Sequence, residues 1–451
     1  MKYYIPEWDD RVDPDFNFLT DQNSPTRIDP YEHDLYAHEL YDSPNYDGIL
    51  ISKVVLEENK TKQEKARTKG VHAYVRIPKH YPVFGDCGAF GYLIQHDPPY
   101  ETDEILKYYQ ELGFDYGVSI DHMIVPGILK RKRYFQEVGG NWVPIEEGQF
   151  KHLSELPNSK IVTKRNTRQM ALHGTQEVLL LEEEFLDEME RERRYQLTIR
   201  NAEEFIKQHR DQKYSFTPIG AVQGWDPDSY AHVVQLYQEM GYRYIALGGL
   251  VRSQTSEILE ILEAVSPIKK AETEMHLFGV ARLEAIPQFQ KMGVTSVDSA
   301  GPLRQAWLSS SKNYYDPHDP EKAYSAIRIP PSEGKKMKKS GGADTSIQML
   351  EQKSLNLLRA YDRGEVSLQE TLDAVLEYNH LAGEKQNYSR EYYETLKDKP
   401  WKTCPCLLCK KTGIDIIIFR RNNRNRRRGF HNTWAFYRFF KNALIGGLNV
   451  D

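Results

Sequence analysis

Val294-Thr295-Ser296-Val297-Asp298-Ser299-Ala300-Gly301-Pro302-Leu303-Arg304 is the stretch from which the fold is read. It is a short β-type run that ends on an aspartate and breaks at once into Gly301-Pro302. An acid at the exit of a strand is held out of the sheet, where a substrate can meet it. In a parallel α/β barrel the carboxyl ends of the strands carry the active site. Two more acids stand at such places, Asp86 after Pro82-Val83-Phe84-Gly85 and Asp121 after Tyr116-Gly117-Val118-Ser119-Ile120.

Working outward, the residues after 214 alternate between two periods. Strand-like runs at 216–223, 244–248, 276–280 and 295–298 are separated by helical patterns. One helical face carries Val233, Leu236, Tyr237 and Met240 with Gly241 just beyond its end; the next carries Ile258, Ile261, Leu262 and Val265. Before 126, strand-like runs occur at 48–52, 73–77, 82–86 and 116–121, which brings the total to eight. Strands alternating with helices pair in parallel, so the expectation is an α/β fold, a (β/α)8 barrel of the TIM type over 46–330. The stretch 126–214 is basic and then acidic and helical, and is read as an insertion. Residues 1–45, rich in Asp, Pro and Tyr, are expected to form an irregular cover.

Beyond the Gly- and Lys-rich break at 331–342 the chain reads as a helical subdomain extending to 451. Ile347, Leu350, Leu357, Leu358 and Tyr361 mark one helix, and Leu368, Leu372, Val375 and Leu376 a second. Cys404, Cys406 and Cys409, followed by His431, supply three thiolates and an imidazole, the closed tetrahedral set of a structural zinc site. The bland alternatives are cysteines packed as small hydrophobes and a histidine that only caps a helix. Arg420, Arg421, Arg424, Arg426, Arg427 and Arg428 crowd between Cys409 and His431 and are read as a loop that contacts nucleic-acid phosphates rather than as a solvated charge run. Lys335, Lys336, Lys338 and Lys339 are weaker candidates for the same surface.

The bounds agree with this organisation. At 451 residues, 39% hydrophobic and 28% charged, the chain is long enough for one barrel and an appendage. No apolar run approaches the ~20 residues of a membrane span, and no apolar leader is present, so the expectation is the cytoplasm without membrane contact. A net charge of −5 excludes a protein coated in positive charge, so any nucleic-acid surface is local.

Two carboxylates flanking a sugar are what cleavage of a glycosidic bond requires: one attacks or stabilises the anomeric carbon, the other moves protons on the leaving group. Asp298 and Asp86 fit those parts, and Asp121 is placed to accept paired N–H donors from a purine edge. Each acid alone reads more simply as a cap or a turn former; the argument rests on three at three strand ends. His122 and His276 could join a site but read more simply as satisfied polar residues, and Cys87 as a small packed one.

At these positions the chain resembles the tRNA-guanine transglycosylases. Asp86-Cys87-Gly88-Ala89 is similar to their Asp-Ser-Gly-Gly turn, Val222-Gln223-Gly224 to their Val-Gln-Gly, Gly248-Gly249-Leu250 to their Gly-Gly-Leu, and Val297-Asp298 through Arg304 to their nucleophile stretch. The cysteine cluster with His431-Asn432 is similar to their zinc pattern. The resemblance implies Asp298 as nucleophile and Asp86 as general acid/base. It implies that Asp121, Gln223, Gly248, Gly249, Leu250 and Phe90 hold the base, that Arg304 contacts nucleic acid, and that Zn2+ is structural. Ala89, His122-Met123-Ile124-Val125, Leu303 in place of a threonine, and Pro6-Glu7-Trp8-Asp9-Asp10 resemble the DNA-acting branch, DpdA. That branch implies exchange of guanine in DNA for 7-cyano-7-deazaguanine within a DNA modification system. The alternatives are exchange in tRNA, toward queuosine or archaeosine, and a non-catalytic nucleic-acid-binding barrel. Partner proteins that open the duplex, such as a helicase, and a homodimer are left open.

Overall fold

The computed structural model describes residues 1–125, 188–332 and 345–446, and between 130 and 184 the backbone of six strands. The lysines at 335–339 lie outside the described residues. Eight parallel strands close into a barrel: β1 (Lys2–Pro6), β2 (Gly48–Ser52), β3 (Val83–Asp86), β4 (Tyr116–Val118), β5 (Thr217–Val222), β6 (Tyr244–Leu247), β7 (Glu274–Leu277) and β8 (Ser296–Asp298). Each pairs with its neighbour in the chain, and β8 closes on β1. The helices that matter below are α1 (Thr102–Leu112), α2 (Glu188–Gln212), α3 (Pro227–Met240), α4 (Thr255–Val265), α5 (Gly301–Leu308), α6 (Thr345–Arg363), α7 (Leu368–Leu381), α8 (Ser389–Asp398) and α9 (Arg421–Gly446). No helix among the described residues is long and apolar enough to cross a membrane.

The expected barrel is therefore the observed one, with one strand misassigned. Residues 73–77 do not form a strand, because Gly70 at φ 76° opens a helical turn over Val71–Tyr74 and Arg76 at φ 54° bends the chain back. Val71, Tyr74 and Val75 are all buried, the i, i+3, i+4 spacing of a helical face. The missing strand is Lys2–Pro6, inside the stretch read as an irregular cover. It pairs with β8 (Tyr3 opposite Val297, Tyr4 opposite Asp298) and with β2 (Ile5 opposite Ile49).

Contacts divide the chain into two units. The first comprises Met1–Asp86, Glu111–Tyr116 and His276–Asp451. Its barrel interior is aromatic: the rings of Tyr4 and Phe84 lie 5.5 Å apart, and those of Phe84 and His276 5.0 Å. Register places Asp86 opposite Ser52 at the carboxyl end of β3. This unit also holds α6 to α9, whose buried faces include Leu355, Leu358, Tyr361, Leu372 and Val375.

The second unit comprises Cys87–Gln110 and Gly117–Met275. Asp226 caps α3 by accepting from the Ser229 amide, and Gly241 at φ 94° ends it. On α4, Ile258, Ile261, Leu262 and Val265 are all buried, as their spacing requires. Within the stretch read as an insertion, strands 130–138, 141–145, 167–170 and 176–184 pair antiparallel, and α2 follows.

Candidate active site and metal centre

Asp298 is the last residue of β8 and is 6% exposed. Its Oδ1 accepts the Gly279 amide at 2.8 Å and the Nε2 of His276 at 3.1 Å. His276 is fully buried, and its Nδ1 meets the Ser296 hydroxyl at 2.8 Å. In a neutral ring, an Nε2–H that donates to Asp298 leaves Nδ1 to accept from the Ser296 hydroxyl. Oδ2 of Asp298 has no hydrogen-bond partner among the described residues. The turn that follows is anchored by Tyr3, whose hydroxyl donates to the Ser299 carbonyl at 2.6 Å. Asp86, half-buried at the end of β3, belongs to the same unit.

In the second unit Asp121 lies three residues beyond β4 and is 5% exposed. Both of its carboxylate oxygens are engaged. Oδ1 accepts from the Cys87 thiol at 3.2 Å, and Oδ2 from the Gln223 amide at 2.6 Å. Burial pushes the Asp121 carboxyl above the usual aspartate range. Gln223 is oriented by its Oε1, which accepts the Ile124 amide at 3.3 Å. The strand end behind it has no room for side chains. A Cβ at Gly248 would stand 2.3 Å from Gln223 Nε2, and Gly249, at φ 79°, would bring one within 3.0 Å of both Gln223 Oε1 and the Tyr230 hydroxyl. Tyr230 donates to the Gly248 carbonyl at 2.7 Å and locks that turn, while Leu250 is buried just beyond it. These are the positions at which the sequence asks for glycine.

Cys404, Cys406, Cys409 and His431 are all buried, with ligand atoms within 4.8 Å of one another. The three sulfurs lie 3.5, 3.6 and 3.4 Å from His431 Nδ1. A tetrahedral ion with M–S about 2.3 Å and M–N about 2.0 Å gives an S···N edge of roughly 3.5 Å. His431 Nε2 donates to the Tyr315 carbonyl at 2.9 Å, which turns the lone pair of Nδ1 toward the thiolates. The donor set and its spacing fit a closed, four-ligand metal site, and His431 lies inside α9 rather than at its cap.

Residues 183–319 match the family model described as queuine tRNA-ribosyltransferase. Across 458 residues the chain is 35% identical to the DNA-guanine transglycosylase of Salmonella montevideo, covering 97% of this chain and 96% of that protein. The chain belongs to the tRNA-guanine transglycosylase family. It is an enzyme of the guanine transglycosylase type.

The arginine run of this transglycosylase needs correction. It is no loop: Arg420 precedes α9 and the others occupy its first turns. Arg420 pairs with Asp21 and with Glu351 at 2.6 Å, and Arg424 pairs with Asp21 and, at 2.9 Å, Asp415. Arg427 donates to the Asp13 carbonyl at 2.8 Å and Arg428 to that of Ala306 at 2.7 Å. These four are buried and hold the amino-terminal segment and the barrel to α9, so they are withdrawn as phosphate contacts. Two of the acids that match them, Asp21 and Glu351, lie far away in sequence, while Asp415 lies just before the run. Arg421, whose side chain is 46% exposed, and Arg426 face a recess of about 430 Å³ that Arg11, Arg27 and Asp13 also line.

Phe90, 57% exposed, lies in a short 3-10 turn behind Gly88, and Arg304 lies on α5. Sequence reasoning favoured a plain polar role for His276, although a histidine at the penultimate position of β7, beside the strand bearing Asp298, was a usable signal. His122 is fully buried, both ring nitrogens lack a partner among the described residues, and burial with the nearby Arg194 pushes its pKa down to about 4.

Proposed function

We propose that this enzyme exchanges guanine in DNA for 7-cyano-7-deazaguanine through a covalent ester on Asp298. The observation that carries the reading is the asymmetry of Asp298: Oδ1 is held by Gly279 and His276 while Oδ2 has no hydrogen-bond partner among the described residues, the arrangement an oriented carboxylate nucleophile needs. The substrate assignment is supported by the resemblance to a protein named DNA-guanine transglycosylase.

Oδ2 attacks C1′ of the extruded nucleotide, the C1′–N9 bond breaks, and its electron pair leaves with guanine, which takes a proton from the Asp86 carboxyl group. The incoming base returns a proton to Asp86 and displaces the ester at C1′. Asp121 accepts the N–H donors of the purine edge, exchanging its internal bonds to Cys87 and Gln223 for the ligand. The Gln223 amide and the Gly249 backbone then serve the carbonyl at the six-position, with Gly248, Leu250 and Phe90 bounding the base. Of the arginines read as nucleic-acid contacts, Arg304, Arg421 and Arg426 are not buried and would meet phosphate.

Zinc fills the site of Cys404, Cys406, Cys409 and His431 and is structural, since four protein ligands leave no open position. Metal analysis of the purified protein is expected to give about one zinc per chain, lost in Cys406→Ser.

The function is tested by incubation with radiolabelled guanine and either DNA or tRNA, followed by denaturing electrophoresis. Label in DNA, with a protein–DNA band absent in Asp298→Ala, is the expected result. Label in tRNA would instead favour the activity named by the matching family model, and label in neither would refute base exchange.

A further inference from the structure

We infer that Trp8 is the stacking platform for a nucleobase beside the one exchanged. The inference rests on the DNA reading above and adds a residue that the resemblance gives no role.

The indole is placed by the barrel itself. β1 pairs with β8 so that Tyr4 stands opposite Asp298, and Trp8 follows four residues later at the same carboxyl end. The backbone between them is pinned: the Glu7 amide donates to the Leu50 carbonyl at 2.9 Å, which continues the pairing with β2, and the Asp9 amide donates to Glu7 Oε1 at 2.7 Å. Trp8 is nevertheless 42% exposed. A large ring held by a fixed backbone and left in water has paid for its ordering without the gain of burial, which marks a surface that meets a partner.

The neighbouring charges identify that partner. The guanidinium of Arg304, in the first turns of α5, lies 4.7 Å from the centroid of the indole. Arg304 has no carboxylate within ion-pair distance among the described residues; its charge acts on Asp10, which itself pairs with Arg426. The loop's own carboxylates are matched elsewhere, Asp9 by Arg11 and by Lys62 at 2.9 Å, and Asp10 by Arg426 at 3.5 Å. What remains is a flat aromatic surface backed by a cation that no carboxylate holds at contact distance among the described residues, at the end of the strand next to Asp298. A flat π system joined to a phosphate fits both. Extrusion of a nucleotide leaves its neighbour unstacked on one side, and an aromatic ring replaces the lost stacking whatever the base, because every base offers a π face.

The test is a two-way cycle on binding. A fluorescent single-stranded oligonucleotide with one guanine is titrated with the full chain, and the same strand is prepared with an abasic nucleotide on the 5′ or the 3′ side of that guanine. Trp8→Ala is expected to weaken binding of the intact strand about tenfold, and Trp8→Phe by much less. One of the two abasic strands is expected to lose a similar factor with the unaltered protein and nothing further with Trp8→Ala, because the two changes delete the same contact. Unchanged affinity in both variants, or losses that multiply, would overturn the platform. Were Trp8→Ala to misfold, equal binding of the intact and both abasic strands by the unaltered protein would overturn it as well. An unaltered protein that binds no DNA would sink the DNA reading instead.

Discussion

Asp298 and Asp121 are both carboxylates at the carboxyl ends of barrel strands, and they are almost equally hidden, at 6% and 5% exposure. Their surroundings differ in a way that, on the function proposed above, separates two kinds of work. Asp298 takes a backbone N–H and an imidazole on one oxygen and keeps the other clear. Asp121 has a thiol on one oxygen and a side-chain amide on the other, and burial raises its pKa. A group that must form a bond needs one lone pair aimed and unspent. A group that must read a ligand can wait with its acceptors satisfied by donors that rearrange when the ligand arrives. Burial alone does not distinguish the two; the count of donors per oxygen does.

The sharpest way to break this contrast is to remove the clear oxygen. Asp298→Ala is expected to lower guanine exchange by roughly 10⁴- to 10⁶-fold, the scale on which loss of a nucleophile acts, while the melting temperature stays close to that of the unaltered chain. Steady-state incorporation of labelled guanine measures the first and thermal unfolding the second. A residual rate within a hundredfold of normal would take the ester away from Asp298. Asp121→Asn tests the other half. A hydrogen bond to a charged acceptor contributes about 1.5–3 kcal/mol, so the loss is expected to be roughly 10- to 150-fold, carried by the KM for the base. Discrimination between guanine and hypoxanthine, which lacks the 2-amino group, should narrow in the same variant. A loss confined to kcat would place Asp121 in the chemistry instead.

The smaller of the mutational effects concerns how the nucleophile is aimed. His276→Phe keeps a ring in the aromatic interior but removes the Nε2–H that meets Oδ1, and is expected to cost about tenfold in kcat with KM for the base unchanged. A positioning role predicts partial recovery in His276→Gln, whose amide can donate again; a purely packing role predicts recovery in Phe and none in Gln.

Much of this arrangement was legible because it is local. Alternating periods announce the barrel, and a strand that ends on Asp followed by Gly-Pro announces the carboxyl end. Three cysteines within six residues announce a metal knot. What misled is what depends on residues far apart. Lys2–Pro6 is a strand only because β2 and β8 flank it, and five residues ending in proline carry too little periodic signal to reveal that. The run 73–77 alternates like a strand, yet Gly70 and Arg76 take left-handed backbone angles and fold it into a turn of helix. The arginines from 420 to 428 look like a basic surface because sequence does not show that Asp21 and Glu351 come from far along the chain to meet them. Removing one partner of such a buried pair costs about 3–5 kcal/mol, so Arg424 belongs to the fold's stability and not to its ligands.

The finest test of the contrast between the two acids is thermodynamic. Because burial raises the pKa of Asp121 in the folded chain, the folded state binds its proton more tightly than the unfolded state does. At pH values below the ordinary aspartate pKa of 3.8 both states are protonated and this preference contributes in full. As pH rises through the folded value the proton leaves and the contribution is lost, so at neutral pH the ionised side chain weighs against folding. Asp121→Asn keeps the shape, can present Oδ1 to the Gln223 amide and Nδ2 to the Cys87 sulfur, and has no charge to desolvate. Its melting temperature is therefore expected to exceed that of the unaltered chain at pH 7 to 8, with the gap shrinking as the pH falls toward 4. Calorimetry on the two proteins at pH 4.5, 6 and 8 reads this directly. A gap that is absent at pH 8, or that widens toward acid, would mean that the carboxylate of Asp121 is stabilised as an anion in the folded protein, and the distinction drawn between it and Asp298 would fail on the recognition side.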